Sequence, residues 1–248
     1  MYRFLLTRRW LTASLVVLAA AVTMIALGLW QLRRADEVKS ANRLVRARLA
    51  AGPVAIDEVL GSESDRATAV YRRVEAAGSY DVAAEIAVDN RSSEGRPGRH
   101  LLTPLVTPGG KALLVDRGWI PLDTEAEAAR PPSGRVTVVG VLFPSERKGT
   151  FGPAIPATGR LTRVPRIDVA RIGEQLAYPV YPLYARLVSQ TPGQPGELPS
   201  PPGLPELSDG PHLSYAVQWF LFTTVAVAVF AALARKEARK RARIAASG

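Results

Sequence analysis

The chain contains no cysteine. A disulfide scaffold, a zinc–thiolate or iron–sulfur centre, a redox CxxC pair and a thiol nucleophile are therefore excluded. Histidine is almost as scarce, with His100 and His212 the only two. A multi-histidine metal centre or a Ser–His hydrolase has little to draw on. Gly-rich phosphate loops are missing as well. Gly149-Thr150-Phe151-Gly152 has neither the Walker lysine nor its spacing. Carboxylate pairs such as Glu63/Asp65 and Glu125/Glu127 are scattered in the manner of solvated loop charge. The expectation is that this chain is not an enzyme.

What the sequence does have is two long uncharged runs. Of its 248 residues 47 % are hydrophobic, a share that a soluble domain would also show. Residues 10–32 carry no charge, about 23 positions where a membrane span needs about 20. Arg8 and Arg9 precede this run, and Arg33 and Arg34 follow it. Trp10 and Trp30 lie roughly 30 Å apart at helical rise, which suits two interfacial belts. Residues 211–234 form the second run. Trp30-Gln31-Leu32-Arg33 is not a small-residue cleavage site, so the first run reads as an uncleaved anchor.

Basic residues set the orientation. Arg235, Lys236, Arg239, Lys240, Arg241 and Arg243 follow the second run, and no Lys or Arg occurs between Arg186 and Arg235. The positive-inside rule puts the C-terminus in the cytoplasm, and two spans put the N-terminus there too. Arg33, Arg34, Lys39, Arg43, Arg46 and Arg48 argue the other way, but they open a long segment, where charge counts weakly. The formal charge of +10 could serve nucleic acid or anionic lipid. Its placement beside the spans favours membrane lipid and no nucleic acid. The expected order is a cytoplasmic N-terminus (1–9), a first transmembrane helix (10–32), an extracytoplasmic domain (33–190), a Pro-rich strap (191–210), a second transmembrane helix (211–234) and a basic cytoplasmic tail (235–248).

The expected fold class is a membrane α-helical hairpin of two transmembrane helices carrying a mainly antiparallel β (α+β) extracytoplasmic domain. Residues 36–49 continue the first helix. Beyond Gly52-Pro53 the pattern changes to short apolar runs between turn residues, with candidate strands at 71–80, 85–89, 100–107, 112–119, 135–143 and 184–188. Gly95-Arg96-Pro97-Gly98 and Pro108-Gly109-Gly110 read as turns, and 167–176 as a soluble helix with Asp168 near its start. This spacing suggests a small antiparallel sheet or barrel.

The second uncharged run has unusual polar and aromatic content. His212, Tyr215, Trp219 and Phe222 are spaced three, four and three, so they share a helical face, with Gln218 beside them. The first run offers Gly28 and Gln31 at the matching level. Two readings stand. Gln31 and Gln218 are interhelical hydrogen-bond glue with His212 an interfacial residue, or the group is a porphyrin site. In the second reading His212 is an axial iron ligand, the aromatic rings line the macrocycle, Gly28 permits its approach, and Arg33 or Arg34 meets its propionates.

Gly28-Leu29-Trp30-Gln31-Leu32-Arg33-Arg34 resembles the end of the first span in the surfeit locus family of cytochrome c oxidase assembly factors. Tyr71-Arg72-Arg73-Val74 with Gly78-Ser79-Tyr80, then Thr103-Pro104-Leu105, then Leu114-Val115-Asp116-Arg117-Gly118-Trp119-Ile120-Pro121, then residues 212–220 from His212 to Phe220, are similar to further blocks of that family in order. The resemblance implies a bacterial cytoplasmic-membrane factor that binds haem a and assists its delivery to subunit I of an aa3-type haem-copper oxidase. It also implies subunit I and haem a synthase as partners and His212 as the iron ligand. A membrane adaptor that stabilises an oxidase intermediate without haem is the alternative. For Asp116, Arg117, Gly118 and Trp119 the expectation is a strand-end turn, with Asp116 paired to Arg117 or a loop arginine, ahead of a partner contact. His100 is expected to be a strand residue rather than a ligand.

Overall fold

The computed structural model describes residues 3–61, 66–147 and 153–246. Glu63, Asp65 and the residues 149–152 named above lie outside the described residues. The chain divides into two compact units, one comprising residues up to Leu44 and from Leu207, the other Val45–Glu206.

The first unit is built from helix α1 (Arg8–Ala50), up to its residue 44, and the C-terminal helix α5 (His212–Ala246). Both are long and apolar enough to cross a membrane. The residues that α1 buries in this region are Ala21, Gly28 and Ala35, seven apart. A seven-residue repeat of small side chains makes a seam along which a second helix can approach closely. On α5 the buried positions are Ala216, Ala234 and Ala238, with Phe220 and Phe230 half-buried. A Cβ on Gly28 would come within 2.8 Å of the Phe220 ring. Trp10 meets Phe230 edge-on at 6.1 Å between centroids. The outer faces expose Leu15, Val16, Leu18, Leu221, Val225 and Val229. The expected helical hairpin is corrected: α1 and α5 are not consecutive hairpin partners, since all eight strands lie between them in the chain.

The second unit is a barrel. Its strands are β1 (Val54–Ala55), β2 (Arg73–Tyr80), β3 (Ile86–Ser93), β4 (Arg96–Val106), β5 (Ala112–Pro121), β6 (Arg135–Phe143), β7 (Arg163–Val164) and β8 (Tyr184–Thr191). The sheet order is β1-β2-β6-β8-β5-β4-β3-β7, and β2 also pairs with β4 at Ser79↔Val106 and Tyr80↔Leu105. That second pairing closes β2-β6-β8-β5-β4 into a ring and removes its edges. The ring is antiparallel except for β5–β8, which is parallel. β1 and β7 add parallel end pieces.

Each expected strand falls on an observed one, and the differences have local causes. The turn between β3 and β4 is Glu94-Gly95, so Arg96, Pro97 and Gly98 already belong to β4, opposite Ser93, Ser92 and Arg91. The soluble helix is only α4 (Val169–Gly173), capped by Asp168, whose carboxylate accepts from Arg171 N at 3.2 Å. Beyond Gly173 the amides of Gln175 and Leu176 bond three residues back, which tightens the chain out of α geometry. Two short helices, α2 (Ile56–Leu60) and α3 (Arg66–Ala69), lie between β1 and β2 in sequence.

Alternation along the strands sorts the core. Leu113 and Val115 of β5 join Val74, Leu105, Val136, Val138, Leu142 and Ala185 in one cluster. Leu114 joins Ile86, Val88, Leu102, Val141, Val164 and Ile172 in another. Successive strand residues point to opposite faces, so one strand feeds both clusters.

Candidate functional site

Two sets of sequence-marked residues come together, one in each unit. In the helical unit His212 stands at the first position of α5, where the chain arrives through Asp209-Gly210-Pro211. Its Nδ1 lies 2.9 Å from Gln31 Oε1 of α1. A carbonyl oxygen only accepts, so in this contact Nδ1 is the donor, and the neutral ring would present its other nitrogen, Nε2, as an acceptor or ligand. Gly210, at φ +69°, lies beside this nitrogen, and a Cβ there would sit 3.3 Å from Nε2 and Cδ2. Asn42 Nδ2 donates to Asp209 Oδ1 at 2.9 Å and to Ser208 O at 3.1 Å, which pins the approach to α5.

The remaining helical residues divide. Gly28 faces the Phe220 ring, not Tyr215 or Trp219 as its nearest neighbour. Trp219 is half-buried and packs edge-on against Phe222 at 6.2 Å. Tyr215 is 47 % and Phe222 52 % exposed, and Gln218 is exposed with them. Tyr215, Trp219 and Phe222 thus flank the interhelical contact, which involves the fourth stripe residue, His212, together with Phe220. Arg33 and Arg34 are exposed, and Arg34 pairs with Glu37 at 3.0 Å.

In the barrel, the Asp116-Arg117-Gly118-Trp119 block is not a strand-end turn. β5 runs on to Pro121, and the register jumps from Leu102↔Asp116 to Leu101↔Gly118. Arg117 is the extra residue of a β-bulge, a device that re-aims a side chain. Asp116 pairs neither with Arg117, which the bulge aims at Glu85, nor with a loop arginine; its partners stand on neighbouring strands. Asp116, buried, accepts from His100 Nδ1 at 2.9 Å and lies 3.9 Å from Arg186 Nε. Arg186 in turn stacks over Phe143 at 4.3 Å.

Arg117 is fully buried. It donates to Glu85 Oε2 at 2.9 Å, to the Ala129 carbonyl and to Gln194 Oε1 at 3.3 Å, and it stands over the Tyr80 ring at 5.6 Å. Thr103 Oγ1 donates to the same Glu85 oxygen at 2.6 Å. Burial lowers the Arg117 pKa from its ordinary value, and the Glu85 carboxylate opposes that shift. Burial likewise raises the Tyr80 hydroxyl, with Arg117 pulling against it. Gly118 has φ +129° and faces the Ser200 carbonyl with no room for a Cβ. Trp119 N donates to Ser200 O at 2.8 Å, and Ser200 N donates back to Trp119 O at 2.9 Å. Gln194 Nε2 donates to Arg130 O and Leu198 O. The block therefore clamps the Pro-rich strap to the barrel. His100 is a β4 strand residue opposite Trp119, as expected.

Two participants were not visible beforehand. Gly210 matters only through the position of the His212 ring, which no spacing rule reports. Glu85 neutralises Arg117 across 32 residues; the nearest sequence signal is the glycine inside an apolar strand at Gly118, a bulge marker. Among the described residues no cluster of three or more His, Cys, Asp or Glu side chains could hold a metal ion.

The chain is similar to known proteins over most of its length. The model of the SURF1 family matches residues 18–224. An uncharacterised SURF1-like protein of Mycobacterium bovis is 29 % identical over 247 residues, covering 97 % of this chain and 89 % of that protein. A SURF1-like protein of Rickettsia felis is 30 % identical over 57 % of this chain and 61 % of its own length. One from Caenorhabditis briggsae is 24 % identical over 87 % of this chain and 73 % of its own. With a match that runs from the first long helix, through the barrel, into the second, the chain belongs to the SURF1 family.

Proposed function

We propose that this chain is a two-pass factor of a bacterial cytoplasmic membrane that assists assembly of an aa3-type cytochrome c oxidase by binding haem a and handing it to subunit I. Membership of a family linked to oxidase assembly supports the general role. The observation that carries the haem reading is the imidazole of His212, held through Nδ1 by Gln31 with Nε2 free beside a glycine. A histidine that donates its other nitrogen to a fixed acceptor has a set tautomer and ring plane, as axial ligands do. The residues present fit the group. His212 would ligate iron and Gln31 orient the ring. Gly210 leaves the approach open, and Trp219 with Tyr215 and Phe222 offers aromatic surface on one side. Arg33, exposed near the same end, would meet a propionate; Arg34 would first have to leave Glu37. Bound there, haem a would be cargo, so the chain's own work is to hold and release it rather than to catalyse. Subunit I and haem a synthase are the partners this reading requires, with both termini cytoplasmic and the barrel outside.

The full chain, purified from haem a-producing cells, tests the proposal. A haem a Soret band that co-purifies in a fixed ratio to protein is the expected result. Oxidase assembly that depends on the chain while the purified protein never carries haem would replace this reading with a membrane adaptor that stabilises an intermediate.

A further inference from the structure

Helix α5 does not end where its apolar run ends. Its α geometry continues unbroken from Ala234 through Ala246, beyond the uncharged stretch that starts at Pro211. In those last turns one side is already occupied. Ala234 and Ala238 are buried, Arg241 stands over the Phe4 ring at 5.0 Å, and the same Arg241 pairs with Glu237 at 2.7 Å. The other side carries Arg235, Lys236, Arg239, Lys240 and Arg243, all exposed. At 100° per residue these five fall within an arc of about 140°, and they extend along about 12 Å of helix. Among the described residues, no carboxylate lies at ion-pair distance from Arg235, Lys236, Arg239 or Arg243, and Lys240 senses Glu237 only at longer range. The charge at this end is thus sorted, with Arg241 spent on internal contacts and five cations left on one face of a rigid helix.

We propose that this face is a recognition surface for the phosphate headgroups of an anionic lipid bilayer. The inference rests on the reading that residues 211–234 span a membrane. Given that, the basic turns begin at the level of the headgroups, where each Lys or Arg gains attraction from anionic lipid that fades within a Debye length. Five side chains on one arc can meet phosphates in the leaflet around the helix, whereas Arg241 cannot turn to them without leaving Phe4 and Glu237. The partner is a lipid surface, not a soluble phosphate, because the sites are strung along the helix and do not converge on one pocket.

Native mass spectrometry of the full chain in mixed micelles with equal phosphatidylglycerol and phosphatidylcholine tests this. Retained phosphatidylglycerol should exceed phosphatidylcholine by roughly fivefold or more, the value for one engaged basic residue. The excess should shrink as salt rises from about 0.05 M to about 0.5 M. Replacing the five together (Arg235→Gln, Lys236→Gln, Arg239→Gln, Lys240→Gln, Arg243→Gln) should bring the ratio near one, and free glycerol phosphate should not bind. Equal retention by the unaltered chain, an excess indifferent to salt, an excess kept by the fivefold variant, or displacement of the lipid by an RNA oligonucleotide would each overturn the proposal. Alkaline carbonate extraction of cell membranes separates the two layers. A chain that stays in the pellet but shows no lipid excess sinks only the recognition face; a chain that is released sinks the spanning reading and the face with it.

Discussion

The two units are held together by different means. The helical pair meets through side chains: the Phe220 ring fills the space that Gly28 leaves, Trp10 meets Phe230 edge-on, and the small residues Ala21, Ala35, Ala216 and Ala234 are buried. Its polar contacts include His212 with Gln31 and Asn42 with Asp209 at one end and Arg241 with Glu237 and the Phe4 ring at the other. The barrel fills two apolar clusters with branched side chains and adds a fully buried guanidinium compensated by Glu85, two carbonyl-type acceptors and a tyrosine ring. A unit of the first kind tolerates added bulk poorly where its rings meet small residues. A unit of the second kind is exposed to any change that leaves half an ion pair behind.

The all-or-none way to test the contrast is topological. If the helical unit lies in the membrane and the barrel outside, a cysteine at exposed Ser92 should react with an impermeant thiol reagent on intact cells. One at Ser247, outside the described residues, should react only after lysis. The reverse pattern would invert the orientation. Next in size is Arg117→Ala. It strands Glu85, and breaking a buried pair by removing one partner costs about 3–5 kcal/mol. Thermal unfolding of the barrel should drop sharply, and a loss under about 1 kcal/mol would mean that water already serves Glu85. Gly28→Leu forces new bulk into the Phe220 ring and should weaken the helix pair by about 1–3 kcal/mol, more than Gly28→Ala. Phe220→Ala in the same chain should recover part of the loss, since neighbours in contact are not additive.

The smallest effect is alkaline. Burial pushes the Tyr184 hydroxyl up to about 12, above the roughly 10 of an unfolded tyrosine. A group raised in the folded state contributes its full stability below the unfolded value and loses it as pH rises from about 10 to about 12. Tyr184→Phe should therefore flatten part of the fall in barrel melting temperature over that window, while Gly28→Ala leaves the window unchanged.

How much of this was legible follows from the same contrast. The helices were readable from uncharged length and flanking arginines, since a span is a local property of about 20 residues. The strands were readable from apolar runs and turn residues, but closure depends on β2 meeting β4 at Ser79↔Val106, a non-local pairing that no window of sequence reports. The parallel β5–β8 pairing is hidden for the same reason. At the site, helical spacing found His212 and Gln31 at matching levels. It put Tyr215 and Phe222 on one face with His212; both are exposed, and the ring that meets Gly28 is instead Phe220, which spacing did not single out. The Asp116–Arg117 expectation failed on a bulge whose one trace was Gly118.

We propose that His212, steadied by Gln31, is the haem ligand. The most direct measurement is the visible absorption spectrum and haem-to-protein ratio of His212→Ala beside His100→Ala, each purified as the full chain from haem a-producing cells. Residue 212 sits at the start of its helix and the pair also meets where Phe220 packs on Gly28, so His212→Ala should remain folded, lose or shift the haem a bands and lower assembled oxidase. His100, occupied with Asp116 inside the barrel unit, should leave the bands unchanged when replaced. An unaltered spectrum and ratio in His212→Ala would contradict the account.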